Sequence, residues 1–314
     1  MSVAGGLDKA IERAVMHRCE ALQIFTRNAN RWVARPLEKA EIRGFRQRLD
    51  ETDIAPVVSH ASYLVNLATT APALRDLSIA TLIDELDRAH ALGLLGVVLH
   101  PGTCTDGTER DALRLVADGV RRAFRARPRR TSMVLLEHTA GQGRTIGHRF
   151  EHLAAIIEHL NGSPRVGVCL DTCHLVASGY DIVSAHGYDD TFAAFGRIVG
   201  FDRLRVLHAN DSKRPCGSRV DRHEHIGEGC LGVEPFRRLF GDARFAGLPL
   251  LIETRKTEGA WKPGAVVLDP LDERNLETLR RLRATAPTYN RDARPNEILA
   301  CHWRSVMAPA SRPA

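Results

Sequence analysis

The sequence predicts an α/β fold built on a parallel sheet, of the size of a (β/α)8 barrel. Three observations carry that expectation. The chain has 314 residues, a length that α/β barrels routinely reach as one domain. Short, almost wholly apolar runs alternate with longer stretches of helical periodicity, as parallel strands joined by crossover helices require. The composition, 44% hydrophobic and 26% charged, is that of an ordinary soluble globular protein.

The elements follow in order. After "AGGL" (4–7) a helix begins. The strand candidates are then "EALQIF" (20–25), "APVVSH" (55–60), "GVVLH" (96–100), "MVLLEH" (133–138), "VGVCLD" (166–171), "LRVLH" (204–208) and "LPLLIE" (248–253). Each is nearly all apolar, as a strand covered on both faces should be. Between them lie helical patterns such as "LIDELDRAHALG" (82–93), "DALRLVADGVRRAF" (111–124) and "FEHLAAIIEHL" (150–160). Pattern alone leaves the sheet open or closed, and the strand count is one short of the eight that close a barrel. A first strand would be expected just upstream of "AGGL". From residue 285 the periodicity fades and Pro, Ala and Arg accumulate. The expected division is a barrel domain at 1–284 and a loosely attached or disordered tail at 285–314.

A net charge of +6 and a pI near 9.1 permit a polyanionic partner without establishing one. The run "RRAFRARPRRT" (121–131) precedes a strand, on the face of a barrel opposite its chemistry, and reads as a solvated helix end. Seven cysteines at irregular spacing argue for reduced thiols. There is no apolar run of membrane-spanning length and no signal-peptide pattern, so a cytoplasmic protein is expected.

The chemistry stands at the strand ends. Six consecutive strand candidates carry His60, His100, Glu137, Asp171, His208 and Glu253 at their C-terminal ends. One such residue is ordinarily a cap or a loop hydrogen bond. Six would converge at the C-terminal rim of a barrel, where so many carboxylates and imidazoles need compensating positive charge, which metal ions supply. Two further segments add candidates. "DTCH" (171–174) brings His174 close behind Asp171, so that both reach a common site from one loop. "SRVDRHEHIGEG" (218–229) offers Asp221 and His223, two apart and therefore on one side of an extended segment. Mixed nitrogen and oxygen ligands suit zinc, with manganese or iron as alternatives. Cys169 and Cys173 flank Asp171, but a CxxxC without a second pair reads better as packing.

The segments "HASYLVNLA" (60–68), "LHPGT" (99–103), "EHTAGQG" (137–143), "VGVCLDTCHLVASGYD" (166–181), "LHANDSK" (207–213), "GSRVDRHEHIGEG" (217–229) and "GLPLLIET" (247–254) resemble the successive signatures of endonuclease IV. That family comprises the zinc-dependent apurinic/apyrimidinic endonucleases of base-excision repair. The resemblance runs from about residue 2 to 280 and implies a TIM barrel lacking its first strand. It also implies three zinc ions: one on His60 and His100, with Glu137 bridging to a second; that second also on Asp171, His208 and Glu253; a third on His174, Asp221 and His223. Glu224, His225 and Glu228 are then left as loop residues.

The implied reaction is hydrolysis of the phosphodiester 5′ to an abasic site in double-stranded DNA, leaving a 3′-hydroxyl and a 5′-deoxyribose phosphate. Removal of 3′ blocking groups accompanies it. Glu137 and Glu253 are the catalytic candidates, Glu253 as the group that orients or deprotonates the attacking water. Asn30, Tyr63, Leu64 and Gln142 are the candidate DNA contacts, and no obligate protein partner is implied. Two departures stand out. His138 occupies a position where the family usually has Asn, and its side chain is expected to point away from Glu137. Residues 257–268 form an insertion. The missing first strand leads to an expectation of a truncated start and of weakened stability and activity. The rival readings are a metal-dependent sugar isomerase or epimerase on the same architecture, and a lesion-binding homologue with weakened catalysis.

Overall fold

The computed structural model describes residues 1–257 and 266–289. Seven strands lie side by side in chain order, all parallel: β1 (Leu22–Ile24), β2 (Val57–His60), β3 (Gly96–Leu99), β4 (Met133–Glu137), β5 (Val166–Asp171), β6 (Leu204–His208) and β7 (Leu250–Leu251). Each falls inside the run anticipated for it. Helices α1 (Leu7–Met16), α2 (Lys39–Asp50), α3 (Pro72–Leu92), α4 (Glu109–Ala126), α5 (Phe150–His159), α6 (Thr172–Ser178), α7 (Ala185–Ile198), α8 (Glu234–Gly241) and α9 (Pro270–Ala284) surround them. The result is a nearly closed TIM barrel. It is open between β1 and β7, which no ladder joins among the described residues. The cleft there is lined by Gln23 and Ile24 on one side and by Leu250, Leu251 and Glu253 on the other.

Strand alternation creates two cores. Val58, Val98, Leu135, Cys169, Val206 and Leu251 fill the barrel lumen, with Ala21 packed against them. Val134, Leu136, Val168 and Leu170 face the helices. A strand sends every second residue to the same side, so the residue two past each lumen residue also faces the lumen, at the rim. That rule delivers the site described below.

The arginine run lies at the opposite end of the barrel. Arg127 and Arg130 both pair with Asp87, at 2.7 and 3.0 Å, and Arg122 pairs with Asp76 at 3.0 Å. At the C-terminal side the chain remains attached as far as Tyr289. Its N–H donates to the Gly241 carbonyl at 2.8 Å and its hydroxyl donates to Asp189 at 3.1 Å. The rest of the anticipated tail, 290–314, and most of the insertion, 258–265, lie outside the described residues. Among the described residues no helix is long and apolar enough to cross a membrane.

Candidate metal centre

Two residues past Val58, Val98, Leu135, Cys169, Val206 and Leu251 stand His60, His100, Glu137, Asp171, His208 and Glu253. Lumen parity brings all six together. His60, Glu137, Asp171 and His208 are buried, while His100 and Glu253 are half-buried at the rim. The two oxygens of Glu137 serve different groups. Oε2 faces Nε2 of His60 at 3.2 Å and of His100 at 3.0 Å, and Oε1 faces Nδ1 of His208 at 3.0 Å.

His174 and His223 complete the cluster by different routes. His174 sits in the first turn of α6, a helix rather than the anticipated loop. Asp171 is the N-cap, and its Oδ1 accepts the His174 N–H at 2.9 Å. His223 lies on a two-residue strand paired with Asp211–Ser212. Asp221 joins the two imidazoles, Oδ2 to His174 Nε2 at 3.2 Å and Oδ1 to His223 Nε2 at 3.4 Å. Asp171 Oδ2 reaches towards both His208 Nδ1 (3.8 Å) and His223 Nε2 (3.6 Å), so it stands between the second and third groups.

Proton accounting shows what this arrangement wants. The Nδ1–H groups of His60, His174 and His223 donate to the backbone carbonyls of Ala61 (2.8 Å), His138 (2.8 Å) and Glu253 (3.3 Å). Each neutral ring therefore turns a bare Nε2 towards carboxylate oxygens. The Nε2 atoms of His174 and His223 are buried without a hydrogen-bond partner. His208 is arranged the other way round. Gln23 Nε2 donates to Glu253 Oε1 at 2.5 Å, which leaves Gln23 Oε1 to accept the His208 Nε2–H at 2.9 Å. His208 Nδ1 then faces Glu137 and Glu253 Oε2, the latter at 3.1 Å. Lone pairs opposed to carboxylates require a cation between them, and imidazoles oriented through their other nitrogen are the usual protein scaffold for one. The residues present fit a metal cluster.

Without a cation the same positions attract protons. Burial disfavours charge on His174, yet Asp171 and Asp221 outweigh it and push its pKa up to about 10. Burial likewise opposes ionisation of Asp221, but His174 and His223 hold it down at about 2. Glu137 is held well below the usual carboxylate range against its burial, through His100 and His208. The thiols go the other way. Burial pushes Cys169 up to about 12 and Cys173 well above the usual thiol value, and the Cys173 thiol donates to the Arg222 carbonyl. Both approach groups of possible ligands, but protonated thiols are poor ligands.

Three supporting residues were not anticipated from the sequence. Gln23 is one, although it stands two past the lumen residue Ala21 and obeys the same parity. Asn210 is fully buried. Its Nδ2 donates to Asp171 Oδ2 at 2.6 Å and its Oδ1 accepts the Glu253 N–H at 2.7 Å, tying β5 to the segment after β7. Asp211 shapes the loop that carries Asp221 and His223. Its carboxylate accepts the N–H groups of Ser212 (2.7 Å), Gly227 (3.0 Å), Gly229 (3.0 Å) and Leu231 (2.8 Å). A Cβ on Gly229 would lie 2.4 Å from Asp211 Oδ1 and from the Ser212 carbonyl, which explains that glycine. The other residues of the loop have structural partners: Glu224 faces Lys213 (3.6 Å), Glu228 pairs with Arg274 (2.9 Å) and His225 meets Asn275 (2.9 Å).

Of the candidate DNA contacts, Asn30 is exposed, Tyr63 is 60% exposed beside the His60 ring, and Leu64 is half-buried. Gln142 is exposed and its Oε1 accepts the Asp221 N–H at 3.1 Å, so it also steadies the third group. His138 points away from Glu137, as anticipated, and packs against the stacked rings of Phe150 and Tyr180.

A family model described as a xylose isomerase-like TIM barrel matches residues 11–281. The probable endonuclease 4 of Chloroflexus aurantiacus is 45% identical over 282 residues, 90% of this chain and 96% of that protein. That of Geobacter sp. (strain M21) is 42% identical over 282 residues, again 90% and 96%. The crystal structure of endonuclease IV from Thermus thermophilus superposes with a TM-score of 0.79 at 35% identity, covering 91% of this chain and 98% of that one. A D-tagatose 3-epimerase-like protein, at 18% identity and a TM-score of 0.66, shares the fold alone. With matches of this identity and extent, the chain belongs to the endonuclease IV family.

Proposed function

We propose that this protein hydrolyses the phosphodiester 5′ to abasic sites in duplex DNA and clears blocked 3′ ends, using three zinc ions held by the nine residues above. The names of its relatives support a nuclease. The observation that carries the metal reading is the set of imidazoles whose second nitrogen is committed to a carbonyl or to Gln23 while the first faces carboxylates. Zinc in such a centre supplies Lewis acidity at phosphate oxygens and a nucleophile drawn from water at neutral pH.

The chain's own residues divide the remaining work. Glu137 spreads one carboxylate over two ligand groups. Glu253, with Oε1 occupied by Gln23, keeps Oε2 to orient or deprotonate the attacking water. Replacement of Glu253 by Gln should abolish most turnover, and near-normal turnover with full metal content would sink that role. His174, Asp221 and His223 form the group that faces the leaving 3′-oxygen. Asn30, Tyr63 and Leu64 contact the duplex from the rim, where the lesion must be reached by distorting the DNA.

The test is a duplex with a single abasic site, incubated with protein before and after chelator treatment. A nick 5′ to the site that disappears on chelation and returns with zinc is expected. No metal-dependent nick would defeat the proposal. Metal stoichiometry separates the rival epimerase reading, for which one or two divalent ions would be found instead of three.

A further inference from the structure

Helix α3 carries a carboxylate that the proposed reaction does not use. Glu85 is fully buried beneath the rim, between the segment that follows β1 and the segment that follows β2. Its Oε2 accepts the Thr26 hydroxyl at 2.9 Å and its Oε1 accepts the Ser62 N–H at 3.2 Å. The two segments are also fastened to each other. The Ser62 hydroxyl and the Tyr63 N–H both donate to the Ala29 carbonyl, at 2.6 and 3.1 Å. Neighbours on α3 hold the first segment from below. Asp84 accepts from Arg27 and Arg88, each at 2.8 Å, and Arg88 donates to the carbonyls of Thr26 (3.0 Å) and Arg35.

One face of α3 thus ties both rim segments into a single body. A leucine or methionine would fill the space of Glu85 without burying polar atoms, so its carboxyl is explained by the two hydrogen bonds it receives. Neither bond is to its own helix. What the joined body presents is an edge beside the candidate metal centre: Tyr63 is 60% exposed, Val33 86%, and Asn30 is exposed as well. The rings of Phe25, His60 and Tyr63 lie 5.4 to 5.5 Å apart, which sets this edge directly against a candidate ligand.

We propose that Glu85 is a positioning residue for DNA recognition: by holding Thr26 and Ser62 at once, it presents the rim segments 26–32 and 62–64 as one preformed edge against which the duplex is distorted. This inference rests on the proposed function. A preformed edge spares the cost of ordering two loops when DNA binds, so its loss should appear in substrate binding and not in the chemical step.

The test uses the zinc-loaded full chain and the Glu85→Ala, Glu85→Gln and Thr26→Val variants. Glu85→Ala is expected to raise KM for an abasic duplex about tenfold while kcat changes less than about twofold and metal content stays full. The Ser62 and Tyr63 amides should exchange hydrogen faster in the same protein. Glu85→Gln should recover most of the KM, because its carbonyl can accept the Ser62 N–H while its amide donates to the Thr26 hydroxyl. Thr26→Val, which removes one bond with little change of volume, should fall between. An unchanged KM, or a joint loss of kcat and metal, overturns the inference. Amide exchange is read without DNA, so unchanged exchange in Glu85→Ala overturns it independently of activity. A wild-type protein that makes no nick would overturn the proposed function instead.

Discussion

His208 Nε2, on β6, donates its proton to Gln23 Oε1, on β1, at 2.9 Å, across the opening of the barrel between β1 and β7. The bond has one possible polarity, because Gln23 spends its amide protons on Glu253. It therefore decides which His208 nitrogen carries the lone pair, and it does so from the edge strand of an incomplete sheet. Replacing Gln23 by Leu removes both hydrogen bonds and frees the imidazole to take the other tautomer. Loss of such an outer partner typically costs roughly 10- to 100-fold in metal affinity. Metal titration of the Gln23→Leu protein should show one weakened ion out of the full complement, with turnover falling in proportion.

Asn210 offers a different handle, since it joins a carboxylate of β5 to the backbone after β7. Asn210→Ala leaves a buried Asp171 oxygen and the N–H of half-buried Glu253 without their partner, at a cost of about 1–3 kcal/mol. Asn210→Asp should be worse, because a second carboxylate would then face Asp171. Thermal unfolding of the metal-free proteins is the measurement. The order wild type, Asn210→Ala, Asn210→Asp in decreasing stability is expected, and equal stability of all three would remove the clamp from this account.

Asp211 should control one metal selectively. Its carboxylate gathers four backbone N–H groups, three of them from residues 227–231. Asp211→Asn keeps the shape but turns an NH2 towards those donors, which should cost about 2 kcal/mol and loosen the loop that carries Asp221 and His223. On the three-ion reading proposed above, the metal count should drop from three to two, and the two remaining ions should sit on the ligands that belong to the barrel strands. Spectroscopy with a substituted cobalt ion can distinguish that loss from a general one.

A pH effect resides away from the candidate metal centre. His152 accepts the Gly147 N–H on Nδ1 (3.2 Å) and donates from Nε2 to Glu109 (2.8 Å), which a neutral ring does. Burial lowers its pKa from the ordinary 6.5, against the pull of Glu109, with His148 and Arg149 adding to the decrease. The unfolded chain takes up this proton first. Stability is therefore full above about pH 6.5 and is lost as the pH falls below it. Glu109 is also lowered, against its own burial, by His152, and adds the same sign at more acid pH. In His152→Gln, which keeps a donor for Glu109 but does not titrate, the decline in Tm between about pH 7 and pH 5 should be shallower.

Much of this protein is legible in its sequence. Seven apolar runs of strand length, with helical patterns between them, led to the barrel because strands covered on both faces have little other home. The six strand-end residues could be seen as one site because a parallel barrel points every strand the same way, so its C-terminal ends share a rim. His174, Asp221 and His223 needed the family resemblance as well, since nothing local places two separate segments beside each other.

What only the tertiary structure decided lies one step behind those residues. The tautomer of His208, the clamp of Asn210, the loop anchor of Asp211 and the tie made by Glu85 are all contacts between segments distant in sequence. A hydrogen bond selects its partner by position to within a few tenths of an ångström. Residue pattern specifies which face of a strand or helix a side chain occupies, and that was enough to collect the candidate ligands. It does not specify which donor will meet which acceptor when seven strands and their loops come together, and that is where the supporting residues were found.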